Sequence, residues 1–176
     1  MNLFRYPAIL TTLAVLGVAA CSAAQAAPPP IEVVPLSGPR ASFTDDVNIQ
    51  IRTKLDGKDT QVIQAADPSL VVTARITVQP GAKFPWHTHP GPVIVTVAQG
   101  ELTYVRADDC VHRRYATGTV FVDPGGGTVH TAFNSAPADE VTVLYATFFN
   151  APAEGPLTNP VDPPANCTVA VGTHAH

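Results

Sequence analysis

Two histidines separated by one residue, His87-Thr88-His89, carry the clearest chemistry in this sequence. On an extended segment, side chains at i and i+2 leave the same face, so both imidazoles would point one way. A third, His130, follows the run Pro124-Gly125-Gly126-Gly127, whose glycines can bend sharply and return the next strand toward that pair. Three neutral imidazoles suit a divalent transition ion, Fe, Mn, Zn, Ni or Cu, with its other positions open to water or a small molecule. The competing reading of the same residues is a hydrogen-bonded core cluster that holds no ion. His112, His174 and His176 fall in a connection and at the terminus, where exposure is expected, and His174-Ala175-His176 is at most a weak metal scavenger.

Bringing His130 against His87 and His89 requires a chain that runs back and forth, and the composition suits that. With 18 prolines and 12 glycines among 176 residues, many short strands are favoured over long helices, and the length allows one domain. Val47, Ile49 and Ile51 alternate with polar residues, and Asp56-Gly57 offers a turn before Gln61 to Ala65, which predicts a hairpin. Further strands are expected over Leu70 to Val78, Val93 to Val97, Glu101 to Arg106, Val120 to Asp123, Val129 to Phe133 and Val141 to Phe149. Roughly eight strands with turns every 8 to 12 residues or so make a sandwich or barrel over 46–150. Trp86, next to His87, is expected on the opposite face, in packing. Arg75 has two readings, a mouth residue that holds a substrate carboxylate or, preferred, a solvated one. Tyr104 and Asn134 are candidates for the rim of the mouth.

Gly81, His87-Thr88-His89 and Gly100, followed by Gly118, Pro124, Gly126, His130 and Asn134, resemble in order the two motifs of the cupin superfamily, over roughly Leu70 to Phe149. The resemblance implies an all-β, double-stranded β-helix, the jelly-roll barrel, with a metal in its mouth and His87, His89 and His130 as ligands. Two departures stand out. The glutamate that usually completes such a site falls at Val93, which cannot bind a metal. Between Pro124 and His130 there is also one residue more than the usual spacing, which the glycines can absorb as a bulge. Within the superfamily, the thiol dioxygenases and β-diketone dioxygenases are similar in using three histidines around ferrous iron, whereas other members are metal-free binding proteins. The resemblance therefore implies either a metal-dependent, dioxygenase-like enzyme for a small organic molecule or a non-catalytic binding or sensory barrel. Homodimers paired through edge strands are also expected by resemblance.

The flanks speak to location. Arg5 precedes an apolar run from Pro7 to Ala20, and Ala24-Gln25-Ala26 offers a cleavage site, so 1–26 reads as a signal peptide. Val18-Ala19-Ala20-Cys21 resembles a lipoprotein lipobox, which would make a lipid anchor at Cys21 the one route to a membrane. Both readings place the protein outside the cytoplasm, secreted, periplasmic or in the cell envelope. Residues 27–45, with Pro28-Pro29-Pro30, read as an extended lead-in before order begins, and 151–176 as a Pro-rich surface tail. Cys110 and Cys167 remain after processing, and export favours a disulfide between them that straps the tail down, outside the histidine site. The net charge of −4 and the absence of a basic stripe argue against nucleic acid and leave a small-molecule ligand as the expected partner.

Overall fold

The computed structural model describes residues 30–38, 40–55, 57–65, 70–137 and 139–169. The leader at 1–26, Cys21, and His174 and His176 lie outside the described residues. The strands in chain order are β1 (Ile31–Pro35), β2 (Ala41–Ser42), β3 (Ile49–Thr53), β4 (Gln61–Ala65), β5 (Leu70–Val78), β6 (His87–Thr88), β7 (Val93–Gln99), β8 (Glu101–Arg106), β9 (His112–Ala116), β10 (Val120–Asp123), β11 (His130–Asn134), β12 (Thr142–Phe148) and β13 (Asn159–Pro160). Among the described residues there is no helix.

Two antiparallel sheets form the body. One runs β1-β5-β12-β7-β10, with β2 also paired to β5; the other runs β13-β6-β11-β8-β9. The alternation of each strand decides what lies between them. Val72, Ala74, Ile76 and Val78 of β5, Val93, Val95 and Val97 of β7, and Leu144, Ala146 and Phe148 of β12 all face inward, against Leu102, Tyr104 and Ala132 of the other sheet. Period-two spacing of β-branched and aromatic residues is what a sheet with one buried face demands. A second cluster, Trp86, Val105, Phe133, Cys167 and Val169, lies outside this core and is closed by the tail. Trp86 thus takes the packing role expected of it, at 5% exposure.

The structure corrects the outer boundaries. The lead-in is extended, but it is not a prelude to order: β1 pairs with β5 from Ile31↔Val78 to Pro35↔Ala74, and β2 joins the same strand. Prolines in this stretch hide an edge strand, where a missing N–H costs least. The predicted hairpin forms as β3 and β4, yet it stays a separate two-stranded sheet. The connection from Arg106 to Thr117 contains β9, whose Arg113 and Arg114 suit a charged edge strand beside β8. The tail contains β13, paired to β6 through Asn159↔Thr88 and Pro160↔His87. Cys110 and Cys167 are joined as expected, with Cα atoms 5.6 Å apart and a separation of 57 residues.

The glycine run before His130 absorbs its extra residue in left-handed backbone, with φ of 61°, 55° and 94° at Gly125, Gly126 and Gly127. Its contact with the loop after His89 is intimate: Gly126 N–H donates to the His89 carbonyl at 3.1 Å, and a Cβ at Gly125 would sit 1.9 Å from the Gly91 carbonyl oxygen. Gly125→Ala is therefore expected to cost about 3 kcal/mol or more, since both the φ and the space exclude a methyl group. Chemical denaturation checks this; a loss under about 1 kcal/mol would show that the two loops move apart freely.

Candidate metal centre

His87 and His89 leave β6 and its end on the same face, as their spacing predicts. His130 opens β11 and is the direct cross-strand partner of His87. The three rings close into a triangle, with centroids 4.1 Å apart for His87 and His130, 4.8 Å for His87 and His89, and 5.0 Å for His89 and His130. All three are buried, at 4%, 8% and 3% exposure, and one nitrogen from each lies within 4.8 Å of the others. A single ion at about 2.1 Å from each nitrogen asks for separations under about 4 Å, so the triangle is somewhat wider than expected and must tighten a little to close on one.

The second nitrogens show how the triangle is aimed. Nδ1–H of His87 donates to the Pro85 carbonyl at 2.7 Å, that of His89 to the Leu157 carbonyl at 2.8 Å, and that of His130 to the Thr128 carbonyl at 3.2 Å. A carbonyl only accepts, so these bonds place the proton on Nδ1 and leave the lone pair on Nε2. Metal-ligating histidines are typically held this way, with the outer nitrogen tied to an acceptor. His130 Nδ1 also lies 3.0 Å from Oδ2 of Asp123.

Asp123, at the end of β10, is 2% exposed. Its Oδ1 accepts from the Gly125 N–H at 2.7 Å and its Oδ2 from the Tyr104 hydroxyl at 2.6 Å. Burial pushes this carboxyl up, but the hydrogen bond and charge of His130, with help from His89 and Tyr104, outweigh it and hold Asp123 below the ordinary carboxylate range. Tyr104 moves the other way, raised by burial and by the adjacent carboxylate, and stays a donor. Burial, then the charge of His130, pushes His87 down to about 3, and burial lowers His89 as well. Both rings are therefore neutral at physiological pH, the form that binds metal.

These shifts have a consequence for stability. A buried histidine with a folded pKa below its unfolded value of 6.5 makes the unfolded state the better proton acceptor, so stability falls as pH drops from about 6.5 toward about 3. At pH 4.5 the His87 contribution is about 2 to 3 kcal/mol. The metal-free protein is expected to melt about 5 to 10 °C lower at pH 4.5 than at pH 7.5, well above the range where Asp123, held below 3.8, titrates. A flat melting temperature across that range would mean that the imidazoles are hydrated.

The triangle lines a cavity of about 120 Å³, walled also by Phe84, Phe121, Phe148 and Val93 among others. Val33, also in the lining, is 52% exposed. Among the described residues, no lysine or arginine lines the cavity. Val93 does stand beside the histidines, in the place where a fourth ligand was expected to be missing, at 1% exposure. Tyr104 is in the cavity; Asn134 is not. The Asn134 side chain instead donates to the carbonyls of Val78 and Glu140 and accepts from Ala136 N–H, a clamp on the chain after β11. Arg75 is half-buried on β5 and absent from the lining, so the carboxylate-holding reading falls. His112 is exposed on β9. Two contributors escaped the sequence: Asp123, and the tail, whose Leu157 and Thr158 line the cavity. The tail therefore does not lie outside the histidine site.

Comparison with known proteins agrees with this architecture. Residues 74–147 match the family model of the Cupin domain. An (R)-mandelonitrile lyase from Granulicella tundricola is 33% identical over 107 residues, 61% of this chain and 72% of that protein. Among solved structures, a cupin-like protein from Thermotoga maritima shares 28% identity over 44% of this chain and 55% of its own, with a TM-score of 0.39. An oxalate oxidase shares 30% over 46% of this chain and 42% of its own, also with a TM-score of 0.39. The chain thus spans about half the length of these structural neighbours. It belongs to the cupin superfamily, an all-β jelly-roll barrel in which three histidines form a group able to hold a metal ion.

Proposed function

We propose that this protein is an exported, metal-dependent cupin that acts on a small, neutral, largely apolar organic molecule. The observation that carries the reading is a cavity lined by three converging imidazoles and by aromatic and aliphatic walls, with no cationic side chain among the described residues of its lining. The donor set fits a divalent transition ion, since each ring is neutral or tied through Nδ1 to an acceptor, with Nε2 left to bind. His87, His89 and His130 would hold the ion, which when bound would supply Lewis acidity to polarise a hydroxyl or carbonyl oxygen.

The rest of the site belongs to the chain. Phe84, Phe121 and Phe148 take the hydrocarbon part of a substrate, and a dry apolar cavity of about 150 Å³ already accepts benzene. An anion such as a dicarboxylate would find no arginine or lysine there among the described residues. Asp123 already accepts from the Gly125 N–H and the Tyr104 hydroxyl, with Nδ1 of His130 3.0 Å away, and is not free to act as a general base. Cleavage of an α-hydroxynitrile into a carbonyl compound and hydrogen cyanide suits these walls, because the substrate is neutral and no redox partner or charged cofactor is needed. The relative named as a mandelonitrile lyase makes that reaction the first to test. A second reading, oxygen-dependent oxidation at iron, is favoured by the donor set itself, three imidazoles with no carboxylate among them. Export rests on the leader sequence and on the disulfide, which persists in oxidising compartments.

The experiment begins with elemental analysis of the processed protein, purified without a histidine tag. Close to one equivalent of a transition metal is expected. Cyanide release from mandelonitrile and oxygen uptake with neutral aromatic substrates are then measured on protein loaded in turn with Mn, Fe and Zn. Failure to bind any of these metals would leave a metal-free binding barrel as the function.

A further inference from the structure

The carboxylate expected as a fourth ligand is missing from β7, where Val93 stands, yet among the described residues the cavity lining holds one carboxylate, that of Asp123. β7 and β10 are antiparallel neighbours, and in their register Val93 lies directly opposite Asp123. Both residues line the cavity. We infer that Asp123 is a positioning residue, a carboxylate placed one strand away from its expected position, which acts on the centre from behind His130 instead of as a ligand. The inference rests on the metal centre proposed above.

Geometry defines the role. Asp123 stands outside the group of nitrogens that could share an ion. Its Oδ2 meets the outer nitrogen of His130 at 3.0 Å, and the Tyr104 hydroxyl and Gly125 N–H hold it from other sides. A side chain fixed by two donors and set against the His130 ring cannot swing inward to ligate. His130 differs here from its partners, since His87 and His89 lean on neutral carbonyls alone. Charge gives the reason for the arrangement. Three neutral imidazoles around a dication leave a buried charge of two units uncompensated, which is costly in an apolar cavity. Among the described residues, Asp123 is the carboxylate in the lining, and it offsets one of the two units. A carboxylate behind a ligating histidine also raises the basicity of that ring and fixes its orientation.

The test uses the full processed protein and Zn2+ or Co2+ alone as the probe. Asp123→Asn is expected to weaken metal binding about 10-fold to 100-fold, whereas Tyr104→Phe, which keeps the carboxylate, should stay within about threefold. Val93→Glu restores a carboxylate on the paired strand. By itself it should tighten binding, and combined with Asp123→Asn it should recover most of the loss. A merely structural role for Asp123 would not be rescued from the opposite strand. A further readout needs no variant: in the diamagnetic Zn2+ protein, the ring N–H proton of His130 should be the most downfield of the three histidines, because a carboxylate is a stronger acceptor than a carbonyl. Equal affinity in Asp123→Asn, equal losses in both single variants, or a His130 resonance no different from the other two would overturn the inference and leave the centre standing. A wild-type protein that binds neither ion would overturn the centre itself, and this is seen before any variant is made.

Discussion

His87→Ala is expected to lower transition-metal affinity by about a hundredfold or more, because a protein ligand contributes about 3 kcal/mol to sites of this kind. His130→Ala should lose metal to the same degree, but the two variants should part company in the metal-free state. Removing His87 leaves a carbonyl, that of Pro85, without its donor at a 2.7 Å bond, and also removes a ring whose burial opposes its own charging. Removing His130 takes the imidazole partner, 3.0 Å away, from Asp123, a carboxylate at 2% exposure. A buried charge with a partner missing costs about 3 kcal/mol or more. The metal-free His130→Ala protein should thus melt about 5 to 10 °C below metal-free His87→Ala. Calorimetric titration and thermal melts on the same preparations separate the two effects. Metal affinity unchanged in either variant would remove that histidine from the centre, and equal melting temperatures would mean that Asp123 finds another donor.

The histidine triangle was legible because its determinants are local. An i, i+2 spacing fixes the face of a strand whatever the strand pairs with, and a run of glycines announces an unusual turn. The extra residue before His130 did no harm, since three successive left-handed glycines take it up before β11 begins. Asp123 escaped that reading although it left a signal, parity: it lies two residues from Phe121, and both face inward. A carboxylate on the inward face of a strand is expensive and therefore a signal. Val93 and Asp123 become one problem only when register is known, and register between strands so distant in sequence is set by the whole sheet.

The flanks were harder to read for a different reason. β1, β9 and β13 are edge strands, and edge strands carry proline and charge that local propensity takes for loop. Pro160 in β13 is an example, paired with His87 although proline has no N–H to donate. Nothing in the composition of 151–164 says that its backbone, and not its side chains, is what the site uses. The contact that matters is the Leu157 carbonyl on His89, and a carbonyl leaves no trace in a sequence.

That contact makes the disulfide matter to the centre. In Cys110→Ser/Cys167→Ser, loss of a bridge across 57 residues is expected to cost about 4 kcal/mol in the chain-entropy account, or about 10 °C of melting temperature. The effect should reach the metal site as well. The tail is held by β13 on β6, by Val161 N–H on the Trp86 carbonyl at 2.9 Å, by Lys83 Nζ on the Val169 carbonyl at 2.9 Å, and by the bridge. The first two are short-range and lie at the protein surface, where a freed terminus frays readily. Fraying would remove the acceptor from His89 Nδ1, release the ring to its other tautomer, and open the wall formed by Leu157 and Thr158. Outer partners of metal ligands are worth about 10-fold to 100-fold in affinity, and partial fraying should cost about the lower figure. Calorimetry at a temperature where the barrel remains folded by circular dichroism tests this, with wild-type protein under reducing conditions as a second preparation. Metal affinity unchanged in both would show that strand pairing alone keeps the Leu157 carbonyl on His89, and the bridge would then serve stability and nothing more.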